Sequence, residues 1–447
     1  MHKSTFLRLL GVLLALALVG AVAWNDGDKD GATKTPSDKT PAATSAPGAE
    51  VPGVTDTEVK LGTHTSITGP IAAYNVIPRF TLGYFNYIND TEGGVNGRKI
   101  TYIEKDDQYS PAQAVDLTRQ LVEQEKIFAM FNALGTPNHL QVIDYLQENG
   151  VPDMFVATGA TEWVKDPSSR PLVFGSNPNY QGEGVAIGKH LADNFAGKKV
   201  GVVYQNDDFG VDGLAGLKIG IGDNLELVGA EPYEVTDPDI SSQVDRLKSA
   251  GADVVAFWVT PLLLGGGIKH ARADLNWDAP FFISSVSMNE LTGLIGGAAN
   301  VEGTMGPVAT YAAQQTDQPG IAKHLEILEQ SGLGAPLASV LSLYAQYVAE
   351  LMVETLKRAE EPLTRESLVA AAESIQDWQC SICLFPLTLG PDDHDPAQGV
   401  AMGVFEGGQV KITSTAYSWE GVAVADLSPD TLQPLEVPAD AINATNP

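Results

Sequence analysis

Apolar positions along this chain follow two rhythms. Short runs rich in β-branched and aromatic residues alternate with longer stretches in which apolar side chains recur every third or fourth position. The runs at 59–65 (VKLGTHT), 100–106, 127–133 and 153–157 read as strands, and the chain then runs through 172–176. Residues 74–89, 111–124 and 138–149 read as the helices between them, with Ala114, Leu117, Leu121 and Val122 on one stripe. The alternation then restarts. Helices are predicted at 182–195, 210–220, 240–250 and 262–274, and strands at 199–205, 225–233, 253–259 and 281–285. Beyond an extended stretch at 303–311, helices are expected at 318–330, 337–359 and 364–374, short strands at 385–389, 400–405 and 410–413, and a loose Pro-bearing tail from 426 to 447. Strand and helix in strict alternation demand parallel pairing through right-handed crossovers, so the pattern predicts two α/β halves.

Small and hydroxylated residues collect where the strands end. Leu134-Gly135-Thr136-Pro137 follows one strand, Gly159-Ala160-Thr161 the next, and Ser66-Ile67-Thr68-Gly69-Pro70 the first. In an open parallel sheet the ligand crevice lies at the carboxyl ends of strands, where crossover helices begin with unpaired N–H groups. The first two turns therefore read as two walls of a small-molecule site, or else as ordinary loops in which Thr136 or Asn138 caps a helix. His64, at the end of the first strand, could reach a ligand or pack beside the sheet.

Composition narrows the setting. A chain of 447 residues exceeds one core. Lys3 and Arg8, an apolar run over 9–22 and the small-x-small triplet Ala21-Val22-Ala23 make residues 1–23 an export signal. Residues 24–56 are rich in Asp, Lys, Thr, Pro, Ala and Ser, the composition of a linker. Position 24 is Trp where a lipid-anchored form would carry Cys, so the expectation is a periplasmic or extracellular protein, with an uncleaved signal as the alternative, membrane-tethered form. A formal charge of −29 repels nucleic acid and anionic lipid. The two cysteines, Cys380 and Cys383, are spaced for a redox motif, half a zinc site or a local disulfide. Their late position, with no second C-x-x-C or paired His nearby, favours a disulfide in an oxidising compartment and no metal site.

Catalytic signatures are missing: no G-x-S-x-G, H-E-x-x-H, G-x-x-x-x-G-K-[ST] or helix-opening G-x-G-x-x-G occurs. Gly265-Gly266-Gly267 reads as a helix edge. Asp106-Asp107 offers either paired acid–base chemistry or a solvated acidic loop. The pattern offers no catalytic constellation and no cofactor motif.

Several phrases in order carry a resemblance: VKLGTHTSITGPIAAY at 59–74, INDTEGGVNGRKI at 88–100, DDQYSPAQAV at 106–115, Gly159-Ala160-Thr161, Asn179-Tyr180-Gln181-Gly182, VGVVYQNDDFGVDGL at 200–214, then LGPDDH at 389–394 and VFEGGQV at 404–410. With these the chain resembles solute-binding proteins of the leucine/isoleucine/valine type, the type I periplasmic binding fold serving ABC importers. The resemblance implies two lobes, each a doubly wound, mostly parallel sheet, joined by three crossings near 176–177, 306–310 and 375–385. Lobe I then takes 57–177 and 310–385, lobe II takes 178–309 and most of 386–425, and a tail follows over 426–447. It implies a monomer that binds a small molecule between the lobes and hands it to an ABC permease. Carried over residue by residue, the carboxylate-binding wall falls on Thr136, Gly159, Ala160 and Thr161, with Tyr74 covering it. Phe209 matches the aromatic of lobe II, and Trp258 and Thr260 lie at another strand end. One departure stands out: the acid that pairs with a ligand ammonium in the family is matched by Ser285. The ligand expected from the resemblance is a branched-chain or related amino acid, delivered by hinge closure. The alternative is a sensory protein of the same fold that recognises an amide, urea or aromatic acid.

Overall fold

The computed structural model of the chain describes residues 50–442. The first sheet holds five parallel strands, β1 (Glu58–Thr65), β2 (Lys99–Asp106), β3 (Ala129–Phe131), β4 (Asp153–Val156) and β5 (Val173–Gly175), in the order β2-β1-β3-β4-β5. The second sheet takes β6 (Lys199–Gln205), β7 (Glu226–Tyr233), β8 (Val254–Trp258), β9 (Phe281–Ile283), β10 (Met305–Val308), β11 (Gly399–Glu406), β12 (Gln409–Ser418) and β13 (Gln433–Pro434). Their order is β13-β12-β11-β10-β9-β8-β6-β7. Pairing is parallel from β7 to β10 and antiparallel from β10 to β13.

Both sheets are covered on two faces, so their central strands are apolar on both sides, as Val254–Trp258 (VVAFW) shows by being buried throughout. On the first sheet, helices Val76–Thr91 and Val340–Arg358 cover one face. Residues such as Ala114, Leu121, Val142 and Leu146 cover the other. On the second sheet, helices Tyr180–Asn194 and Asp208–Ile221 form one layer and Ser241–Ser249 with Pro261–Lys269 the other. The first pair approaches closely because glycine faces glycine: a Cβ on Gly188 would stand 2.6 Å from Gly220 Cα.

Three segments join the lobes. Ser176–Asn179 leads from β5 into helix Tyr180–Asn194. The second segment follows β10, and the third precedes β11. These two run side by side: Leu384 N donates to Ala309 O and Tyr311 N to Ile382 O, each at 2.9 Å. Leu384 and Phe385 pack on the second core, but Leu387 and Leu389 return to the first, so the third connection extends to Gly399.

Several elements differ from expectation. The helix expected at 138–149 is two pieces, Thr136–His139 and Ile143–Glu148. That at 262–274 is Pro261–Lys269 followed by a π turn, His270–Asp274. Residues 385–389 form no strand; only Leu387 pairs, with Trp378. The expected strand at 410–413 is the longer β12. The tail is not loose through 442, because β13 pairs with β12 and helix Ala439–Ile442 follows, with Val437 and Ala441 buried in the second core. At the other end Val54 pairs with Val59, so ordered chain begins ahead of residue 57. The expected export signal, residues 24–49 of the linker and the last five residues lie outside the described residues. Among the described residues no helix is long and apolar enough to cross a membrane.

Candidate ligand-binding site

One buried carboxylate sets the geometry at the edge of the first sheet. Asp107 Oδ1 accepts from Ser66 Oγ at 3.1 Å and from the Tyr109 N–H at 2.8 Å. Its Oδ2 accepts from Asn138 Nδ2 at 2.8 Å and meets His64 Nδ1 at 2.8 Å. Asp107 thus ties together the loops after β1, β2 and β3. It is neither a solvated acid nor half of an acid pair, and His64 is packed rather than ligand-facing. The turn it holds puts Gln108 and Tyr109 at φ of 54° and 59° and brings the Tyr109 ring against Gly135. Gly135 has φ of 109°, and a Cβ there would stand 2.7 Å from Tyr109 Cε2, so only glycine fits beneath Thr136.

Between the lobes lies a cavity of about 150 Å³. Its wall from lobe I includes Ile71, Tyr74, Ile77, Tyr109, Thr136, Thr158, Leu341 and Tyr344. Its wall from lobe II includes Tyr180, Phe209, Thr260, Ser285, Val286, Val308, Val410 and Ile412, with Phe385 from the third crossing. Among the described residues no Asp, Glu, Lys, Arg or His lines it. Its polar side chains are hydroxyls and the Asn177 amide. Thr136 Oγ1 and Thr158 Oγ1 share a short hydrogen bond, Thr158 Oγ1 donates to Tyr180 Oη at 3.4 Å, and Ser176 Oγ meets Tyr344 Oη at 2.6 Å. Tyr74 Oη, buried, has no partner. Burial, reinforced by Tyr180 and Tyr233, holds the Tyr74 hydroxyl well above its ordinary pKa, so it serves as a neutral donor.

Of the residues singled out in the sequence, Tyr74, Thr136, Phe209, Thr260 and Ser285 come together on this cavity; Gly159, Ala160, Thr161 and Trp258 do not line it. Gly159 is pressed against the first crossing, where a Cβ would stand 2.3 Å from Pro178 O, and its own carbonyl accepts the Tyr180 N–H at 2.7 Å. Ala160 is in the core of lobe II's inner layer, and Trp258 is buried against helix Asp208–Ile221 at Gly213. Thr161 faces the other lobe. Its N–H and hydroxyl donate to Asp212 Oδ2 at 2.7 and 3.0 Å.

A second contact of the same kind joins the lobes: the Val340 N–H at the start of helix Val340–Arg358 donates to Glu290 Oε2 at 2.9 Å. Burial raises the pKa of both Asp212 and Glu290. Lobe II carboxylates thus cap helix N-termini of lobe I, where the helix dipole favours negative charge. Two acids beside the cleft are engaged elsewhere: Glu290 takes the Val340 N–H, and Asp207 caps Phe209 N at 3.0 Å and takes Gln205 Nε2 at 2.6 Å.

The sequence reading missed Tyr109, Thr158, Tyr180, Tyr344 and the crossing residues. Tyr109 and Tyr180 stood inside the phrases that carried the resemblance. Tyr344 lies in a helix whose apolar stripe says nothing of which residue meets a cleft. Cys380 and Cys383 form a disulfide, and Cys383 lies on the cavity wall opposite Thr310.

A family profile described as periplasmic binding protein matches residues 58–409. Among curated proteins, Leu/Ile/Val-binding protein homolog 2 of Brucella abortus (strain 2308) is 25% identical over 300 residues, 66% of this chain and 77% of that protein. A solved branched chain amino acid ABC transporter structure from Thermus thermophilus with bound valine has a TM-score of 0.75 at 20% identity, covering 83% of this chain and 98% of that one. A fatty acid ABC transporter substrate-binding protein from Thermomonospora curvata has a TM-score of 0.73 at 23% identity, covering 88% of this chain and 98% of that one.

Proposed function

The chain belongs to the periplasmic binding protein family, and on that premise we propose that it captures an apolar solute outside the cytoplasm and delivers it to an ABC permease by hinge closure. It is a binding protein and not an enzyme. The observation that carries the ligand reading is that none of the described residues brings an ionised side chain to the cavity wall. A buried ammonium without its partner costs about 3–5 kcal/mol, roughly two to four decades of affinity. A carboxylate or neutral polar head fares better, because Tyr74 and Tyr180 keep hydroxyl protons free to donate and bonds to a charged acceptor are the stronger kind. Ser285, where an acid pairs with the ligand in amino-acid binders of the type resembled, is consistent with this, so the proposed ligand is an apolar acid lacking the ammonium. The protein acts as a monomer, with both lobes touching the solute, since only differential contact shifts a closure equilibrium.

Calorimetric titration with leucine, isoleucine and valine against their deaminated 2-keto analogues tests the ligand, and small-angle scattering tests closure. The keto acids should bind more tightly and reduce the radius of gyration. Binding of the amino acids alone would overturn the ligand assignment, and an unchanged radius at saturation would overturn closure.

A further inference from the structure

Tyr109 touches both the cavity and the opposite lobe. Its ring lines the cavity from lobe I, packed against Gly135, while its hydroxyl accepts from Nε2 of Gln205, at the end of β6 in lobe II, at 3.4 Å. The Gln205 amide is fixed on every side. Its Nε2 also donates to Asp207 Oδ2 at 2.6 Å, its Oε1 accepts from Tyr233 Oη at 2.8 Å, and that hydroxyl in turn accepts the Thr260 N–H at 3.0 Å. Gln205 and Tyr233 are buried and do not line the cavity, whereas Thr260 does. Hydrogen bonds therefore run unbroken from the lobe II wall at Thr260 to the lobe I wall at Tyr109. Backbone strain points the same way. Tyr109 is a bulky residue held at φ of 59°, a conformation that persists only where its surroundings over-determine it, and the Asp107 carboxylate that accepts its N–H supplies that constraint.

We infer that Tyr109 couples capture to closure: the solute seats against its ring, and its hydroxyl holds lobe II through the Gln205 amide. The inference rests on the proposed hinge closure and names the residue that transmits it. The Thr161–Asp212 contact cannot do this, because neither of its residues lines the cavity. Burial, with Asp207 close by, keeps the Tyr109 hydroxyl well above its ordinary pKa, so it remains a neutral partner for the amide. Phenylalanine at this position keeps the ring and its packing on Gly135 and removes only the end that reaches lobe II. Tyr109 is thus a positioning residue for closure as well as a wall residue.

The test is a double-mutant cycle on Tyr109→Phe, Gln205→Met and the pair, read by calorimetry and stopped-flow kinetics with the 2-keto analogue of leucine and by small-angle scattering of the ligand-free chains. Tyr109→Phe should weaken binding roughly threefold, the low end for a neutral hydrogen bond, through faster release at an unchanged association rate. It should also enlarge the ligand-free radius of gyration. In the Gln205→Met background the same change should cost nothing further, because the partner of the hydroxyl is already gone. Should Gln205→Met not fold, the release rate and radius of Tyr109→Phe decide. An equal loss in both backgrounds, a loss carried by the association rate, wild-type affinity or an unchanged ligand-free radius overturns the inference and leaves the solute-binding reading standing. If the keto acid does not bind, the ligand assignment falls and leucine becomes the probe; if leucine does not bind either, the ligand-free radius decides alone. Hinge closure falls separately, if saturating keto acid or leucine leaves the wild-type radius unchanged.

Discussion

Glu183 offers the sharpest test of how the cavity wall is built. It lies in the first turn of helix Tyr180–Asn194, fully buried directly behind Ser285, whose N–H its Oε2 accepts at 3.2 Å. Burial lifts its carboxyl from an ordinary 4.5 to about 7, against the opposing pull of Ser285 and Trp258. A carboxyl raised in the folded state favours the protonated form. Its contribution is therefore complete below about 4.5 and is lost as pH climbs through about 7. At ~1.36 kcal/mol per pH unit, that gap is worth about 3 kcal/mol. Glu183→Gln keeps the shape and an acceptor for Ser285 but cannot ionise. Urea unfolding should show the variant close to wild type near pH 4 and about 3 kcal/mol more stable near pH 8. Parallel stability curves for the two proteins would refute the reasoning. The variant also reads function: ligand affinity should be unchanged, and a collapse would reveal Glu183 as an ammonium partner one layer behind the wall.

Asp212→Ala removes both bonds from Thr161 across the cleft. Bonds to a charged group are worth about 1.5–3 kcal/mol when buried, and partial exposure favours the lower end. The closed state should lose about 1.5 kcal/mol and the dissociation constant rise roughly tenfold by calorimetry, with scattering of the ligand-free protein shifted toward open; unchanged affinity would show that the contact does not hold closure. Replacing Cys380 and Cys383 by serine opens a very short loop, for which chain entropy gives about 2 kcal/mol of lost stability. Urea unfolding measures it, and equal stability would count against the bond.

The two-lobed α/β architecture was legible because its signal is local and repeated. Buried parallel strands need continuous apolar runs such as Val254–Trp258, each crossover helix needs its own stripe, and both are written in consecutive residues. The glycine turn after β3 likewise placed Thr136 at a crevice, and the resemblance placed Ser285 there. Pairings between distant segments were not legible. Asp107 read as a surface acid because its neighbours in sequence are polar, while His64, Ser66 and Asn138, which surround it, come from other loops. Thr161 read as a ligand group because its turn is small and hydroxylated. Its partner Asp212 lies on the other lobe, and that distance in sequence hides the contact. The tail read as loose because two-residue β13 and four-residue helix Ala439–Ile442 are too short to carry a period.

The sequence by itself determined the strand and helix rhythm, the family resemblance and the absence of an acid at Ser285. These are properties of single positions and of short-range spacing. Only the tertiary structure decided that Tyr74, Tyr109, Tyr180 and Tyr344 converge on one cavity, that no ionised side chain of the described residues joins them and that the cavity wall includes Val410 and Ile412. Those facts depend on how two sheets and three crossings pack. Packing is set by the sum of many weak, non-directional contacts, which no local stretch of sequence encodes.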